Sequence, residues 1–200
     1  MHAIRTGTPV AAMLLVLALP LPILAREAIT VNQETVYYGV TGLTTDEIAR
    51  SIRENRPESM DDFIGEATYY FTWTYNYRPG RDGSGFAGCR VFGAAVVIDV
   101  TVNLPRHDDI GEAPKDVREF WENFIAALER HELNHAGDFI ETGSLIPAAI
   151  DGVTAANCVA VQAVANKKGM QYVDLAQQQA DEYDAETNHG IEEGALFPGF

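Results

Sequence analysis

Apolar and polar positions alternate along this chain with two different periods, and the change of period divides it. Over residues 66–77 the alternation is strict. Ala67, Tyr69, Phe71, Trp73, Tyr75 and Tyr77 face one way, and Thr68, Tyr70, Thr72 and Thr74 the other, which predicts a strand. Residues 89–104 repeat the period, with Phe92, Ala94, Val96, Ile98, Val100 and Val102 on one side. The glycine-rich stretch 78–85, with Pro79, predicts a turn or mobile loop between them, making an antiparallel hairpin. Residues 35–41, β-branched and aromatic, predict a third strand. Thr44 and Glu47 then match a capping box opening a short helix to about residue 54, with Ile48, Ala49 and Ile52 inward. A loop over 55–62 follows, carrying Pro57.

From Pro114 onward the period is that of a helix. Val117, Phe120, Trp121, Phe124, Leu128, His131, His135 and Phe139 form one stripe at spacings of three and four. This helix is expected to end near Gly143 or Gly152. A second helical region spans about 154–188, with a break expected at Asn166-Lys167-Lys168-Gly169 and a stop at Gly190. Strands followed by helices make the class α+β, a small antiparallel or mixed sheet whose hairpin packs on the long helix and the C-terminal helices.

Residues 1–25 read differently. Arg5 precedes an unbroken apolar run over 10–19, Pro20 and Pro22 interrupt its end, and Ala25 offers a small residue for cleavage. That is the layout of a secretory signal peptide, with an uncleaved anchor as the rival. Residues 26–200 suit a single domain, and no later segment is apolar enough to span a bilayer. The formal net charge is −15, with the acids scattered, so nucleic acid and anionic lipid are poor partners. A periplasmic or secreted protein is expected. The two cysteines, Cys89 and Cys158, lack CxxC partners and in such a compartment predict a disulfide; two buried thiols are the alternative.

The chemistry concentrates at His131-Glu132-Leu133-Asn134-His135. On a helix, positions i and i+4 point the same way, so both imidazoles can grip one metal ion, with Glu132 beside them to take a proton from water. Both histidines lie on the core-facing stripe, where metal ligation satisfies rings that a solvated face would not need to; core histidines hydrogen-bonded to their neighbours are the alternative. A catalytic zinc takes three protein ligands and keeps one position open. Beyond the expected leader only His107 and His189 remain. His107 lies in the polar run Pro105-Arg106-His107-Asp108-Asp109 and reads as solvated. His189 is favoured by residue type, although a straight pair of helices would bring Gly169, not His189, level with His135. Asp138 and Glu141 stand where the metzincin pattern asks for Gly and His. Glu182 and Glu186 compete from the later helix, as in thermolysin-like enzymes.

HELNH with Trp121 upstream, the Cys89 and Cys158 pair, and the ending YDAETNHG…GALFP together resemble a bacterial family of predicted secreted zinc-dependent proteases, long catalogued as a domain of unknown function. The likeness runs from about Tyr37 to Pro198. It implies a zincin-like fold and carries His131, Glu132, His135 and His189 over as site residues. The expected activity is hydrolysis of a peptide bond in a peptide or protein substrate. Zn²⁺ on the three histidines would activate water, and Glu132 would act as general base. Tyr183 would donate to the oxyanion and Asp184 would orient a ligand histidine. The alternatives are a non-catalytic exported protein stabilised by zinc and a cell-wall amidase using the same residues.

Overall fold

The computed structural model describes residues 28–81 and 87–200; the expected leader and residues 82–86 of the expected turn lie outside them. A mixed sheet carries a layer of helices. Strands β1 (Ile29–Val40), β2 (Glu66–Arg81) and β3 (Ala87–His107) stand in the order β1-β3-β2. The two-residue β4 (Thr154–Ala155) pairs with the start of β3. β2 runs antiparallel to β3, with Ala67 opposite Val102 and Phe71 opposite Ile98. β1 is parallel to β3. The sheet is thus mixed, its hairpin as the alternation predicts.

Helix α1 (Thr45–Asn55) opens on the expected capping box, and Ile48, Ala49 and Ile52 are buried. Helices α2 (Lys115–Ser144) and α4 (Cys158–Thr187) have 30 residues each. They lie antiparallel: Thr142 Oγ1 donates to Gln179 Oε1 (2.6 Å) at one level, and His135 meets Asp184 further along. Short α3 (Ile146–Ile150) and β4 make the reversal. The aromatic stripe of α2 is buried, as its period requires. Trp121, Phe124, Leu128 and Phe139 enter the core together with both histidines of the motif, and each large apolar side chain contributes roughly 1.5–3 kcal/mol.

Four expectations are corrected. The pairing does not turn after residue 77, because β2 continues to Arg81. Nor does β3 keep one phase throughout. Thr74 faces Ala95 while Asn76 faces Phe92, so β3 carries one residue more than β2, and Gly93 there has φ +63°. An added residue reverses which side chains point inward. Val91 and Cys89 are therefore buried and Phe92 is exposed beneath Arg78; Tyr77, opposite Val91, is exposed as well. The third correction is His107, which is buried at the end of β3 against Trp121, its Nε2 2.8 Å from the Gly42 carbonyl oxygen. It is a packing residue, not a solvated one.

The fourth concerns α4, which passes through residues 166–169 unbroken. Those residues form a landing site for the aromatic face of β2. Trp73 Nε1 and Tyr75 Oη both donate to Asn166 Oδ1, and Tyr69 Oη donates to the Val173 carbonyl. A Cβ on Gly169 would come within 2.6 Å of Trp73 Cε2. Glycine here permits close approach and does not end the helix. α4 is thereby fixed along its axis against the sheet.

Cys89 and Cys158 form the expected disulfide, Cα atoms 5.0 Å apart, which ties β3 to the first turn of α4. Closing this loop of 69 residues stabilises the fold by about 4 kcal/mol in the chain-entropy account. Such a bridge is compatible with export. Among the described residues no helix is long and apolar enough to cross a membrane.

Candidate metal centre

His131 and His135 sit one turn apart on the buried face of α2, and α4 delivers Asp184 to them. Nε2 of His131 lies 3.1 Å and Nε2 of His135 3.0 Å from the same oxygen, Asp184 Oδ1. These three donors lie within 4.8 Å of one another, and both histidines are buried. Two imidazole nitrogens and one carboxylate oxygen are a donor set that suits a divalent metal ion. The group could bind one. Asp184, expected to orient a single histidine from behind its ring, instead meets the Nε2 atoms of both.

The position behind His131 belongs to Glu193. Its Oε2 lies 2.9 Å from His131 Nδ1, and its carboxylate accepts from Tyr183 Oη at 2.9 and 3.0 Å. Tyr183 also stacks on His131, centroids 5.0 Å apart and planes at 18°, and accepts from Asn134 Nδ2 (2.7 Å). The Tyr183 hydroxyl is thus engaged with Glu193 and Asn134. His135 lacks such a clamp. Its Nδ1 is buried with no hydrogen-bond partner among the described residues, and Phe139 and Tyr183 hold the ring.

These contacts set the charges. Burial opposes a charged His131, but hydrogen bonds to Asp184 and Glu193 outweigh it and raise its pKa. With a carboxylate on each ring nitrogen, both nitrogens act as donors only in the imidazolium form. Asp184 and Glu193 are correspondingly lowered against the pull of burial. Glu132 responds in the opposite sense: burial pushes its carboxyl up to about 7, although His131 and His135 pull the other way. It is 5 % exposed, on the wall of a cavity of about 700 Å³. Gly65 leaves it room, since a Cβ there would stand 2.8 Å from Glu132 Oε1.

The chain reaches Glu193 through a tight reversal. Asn188, His189 and Gly190 all have positive φ (52°, 53° and 78°), closing α4 in the left-handed conformation. A Cβ on Gly190 would press on His131 Cγ at 3.0 Å. His189, expected as the third ligand, stands at the edge: 55 % exposed, Nδ1 3.7 Å from Asp184 Oδ1, its ring 5.4 Å from Phe63. It lines the cavity without joining the three-donor group. His107 is elsewhere, on Trp121. Glu182 and Glu186 are exposed and Asp138 and Glu141 are outside the three-donor group.

Glu193 escaped the sequence reading because nothing in a helical period extends beyond Gly190. The available signal was the Asn-His-Gly stop itself, which turns the chain back toward the helix it has just left. No curated protein and no solved structure shows a significant match to the chain. One family does, over residues 35–190, which include both cysteines, α2 with its motif and α4 with Asp184 and His189. The chain belongs to that family, described as bacterial protein of unknown function, DUF922.

Proposed function

We propose that this is an exported zinc-dependent peptidase of zincin-like design. One observation carries the reading: His131 Nε2 and His135 Nε2 converge on Asp184 Oδ1 at the wall of an open cavity, with buried Glu132 lining the same wall. His131, His135 and Asp184 would hold the zinc, with His189 the nearest further imidazole. Bound there, zinc supplies Lewis acidity toward a carbonyl and a more acidic water. The zincin-like fold is supported by the same arrangement, a motif helix on the sheet with a second helix returning a further donor.

The remaining chemistry falls to the chain's own groups. Glu132 takes a proton from the attacking water and passes it to the leaving amine nitrogen. Its carboxyl, held at about 7 by burial, suits a group that must accept and then donate near neutral pH. Glu193 fixes the His131 ring through Nδ1, so that Nε2 faces the reacting centre. Leu128, Ile64 and Phe197 line the cavity and limit water around these groups. Among the described residues β2 pairs with β3 on one side only, and its residues 66–69 line the cavity, so its free edge can align an extended chain by strand addition.

The site opens on a cavity and both cysteines are bridged, which favours a reacting centre over a closed structural zinc site. The test is Glu132→Gln. Purified variant and wild type should carry equal zinc by elemental analysis, and only wild type should cleave unfolded protein substrates. Cleavage at the wild-type rate by the variant overturns the mechanism. Cleavage of cell-wall fragments but not peptides would move the activity to an amidase.

A further inference from the structure

The cavity that holds the reacting groups is also lined by residues beyond them. Phe139 lies one turn beyond His135 on α2, Asp181 one turn before Asp184 on α4, and Tyr69 two residues after Ala67 on β2. These three, with Val173 and Gln177, line the same cavity as the metal centre. Its floor is aromatic, the Tyr69 and Phe139 rings having centroids 4.2 Å apart. The Tyr69 hydroxyl is spent on the Val173 carbonyl.

The lining of the cavity is acidic. Asp62, Glu66 and Asp181 join Glu132 and Asp184 in lining the cavity, and among the described residues no lysine or arginine lines it. Asp62 has a partner, Arg56 at 2.7 Å. Among the described residues Asp181 accepts only from the Gln177 amide (2.8 Å), and neither Asp181 nor Glu66 forms an ion pair. Burial first, and then the charge of neighbouring Asp61, hold the Glu66 carboxyl above its usual range. An acidic side chain entering here would meet like charge on both walls. A neutral apolar one would satisfy the floor and leave the lining carboxylates facing it.

We infer that the substrate is a peptide with a basic residue next to the scissile bond, its lysine or arginine stem lying on Tyr69 and Phe139 and its charge meeting Asp181. A long aliphatic stem ending in a cation matches an apolar floor with an anionic lining. The chain's overall charge of −15 also draws basic peptides toward the cleft. The inference rests on the peptidase reading and names the residue that sets its specificity.

Binding and turnover separate the two. Zinc-loaded Glu132→Gln protein is titrated, by fluorescence anisotropy, with three labelled alanine-rich octapeptides differing only in a central Lys, Leu or Glu. The Lys peptide should bind at least tenfold more tightly than the Leu peptide and the Glu peptide weakest of all. Adding Asp181→Asn should reduce the Lys-over-Leu ratio at least fivefold, and Asp181→Lys should reverse the order of Lys and Glu. Asp181 is exposed, so both substitutions are compatible with folding. Equal or tighter binding of the Leu peptide, or a ratio indifferent to Asp181, overturns the basic subsite. Wild-type protein is then incubated with the Lys peptide and examined by mass spectrometry. Lys-selective binding without cleavage overturns the peptidase reading alone; cleavage without Lys selectivity overturns the subsite alone.

Discussion

Glu193 Oε2 lies 2.9 Å from His131 Nδ1, the ring nitrogen that faces away from Asp184. A residue of the C-terminal tail therefore orients a side chain in the middle of α2. Partners of this kind fix the tautomer and aim of a metal-binding imidazole, and their loss costs roughly 10–100-fold in metal affinity. Glu193→Gln should weaken zinc binding within that range, measured by competition with a chromophoric chelator. Tyr183→Phe, which removes one partner of Glu193 but leaves the carboxylate on His131, should have a smaller effect. Unchanged affinity in Glu193→Gln would show the contact to be incidental.

Asp184 and His189 compete for the role of third ligand, and the geometry separates them. Asp184 Oδ1 touches both motif histidines, whereas His189 is 55 % exposed and outside the three-donor group. Asp184→Ala should lose at least a hundredfold in zinc affinity and His189→Ala less than tenfold. The reverse order would make His189 the ligand.

Burial of Glu132 makes stability depend on pH. Its carboxyl titrates near 7 in the folded protein, with burial the main cause, and near 4.5 in the unfolded chain. Between these values the folded state holds the extra proton, so this group's contribution to stability falls as pH rises through that window. The whole gap corresponds to at most about 3 kcal/mol. In zinc-free protein, Glu132→Gln should be more stable than wild type at pH 8, by about 1–3 kcal/mol in urea unfolding, and the difference should vanish near pH 4.5. A difference independent of pH would rule this account out.

Gly169 supplies a test of how β2 docks on α4. Alanine in an exposed helix is favoured over glycine by about 1 kcal/mol. Here its Cβ would meet Trp73 at 2.6 Å, and that ring is held by Asn166. Overpacking typically costs about 1–3 kcal/mol, so Gly169→Ala should lower the melting temperature. A rise would mean that Trp73 yields freely.

The disulfide predicts a further loss. Cys89→Ala with Cys158→Ala should destabilise the protein by about 4 kcal/mol in chemical denaturation, with unchanged far-ultraviolet circular dichroism for the fraction that folds. Loss below about 1 kcal/mol would show that α4 is held by packing alone.

Periodicity by itself determined the hairpin, the capped α1 and the buried stripe of α2, because each is a local pattern whose apolar face must be covered. It also placed His131 and His135 on one helix face with Glu132 beside them. Three other features required the fold. The phase of β3 depends on a single added residue at Gly93, invisible to alternation counted from either side. The continuity of α4 through Gly169 depends on Trp73, from a distant part of the chain, arriving as its neighbour. Asp184 and Glu193 take their places because that docking fixes the axial position of α4 and because residues 188–190 turn the chain back over His131. Local spacing can name the residues on one helix face; which residues of a second element stand opposite is decided by how far that element slides before packing stops it.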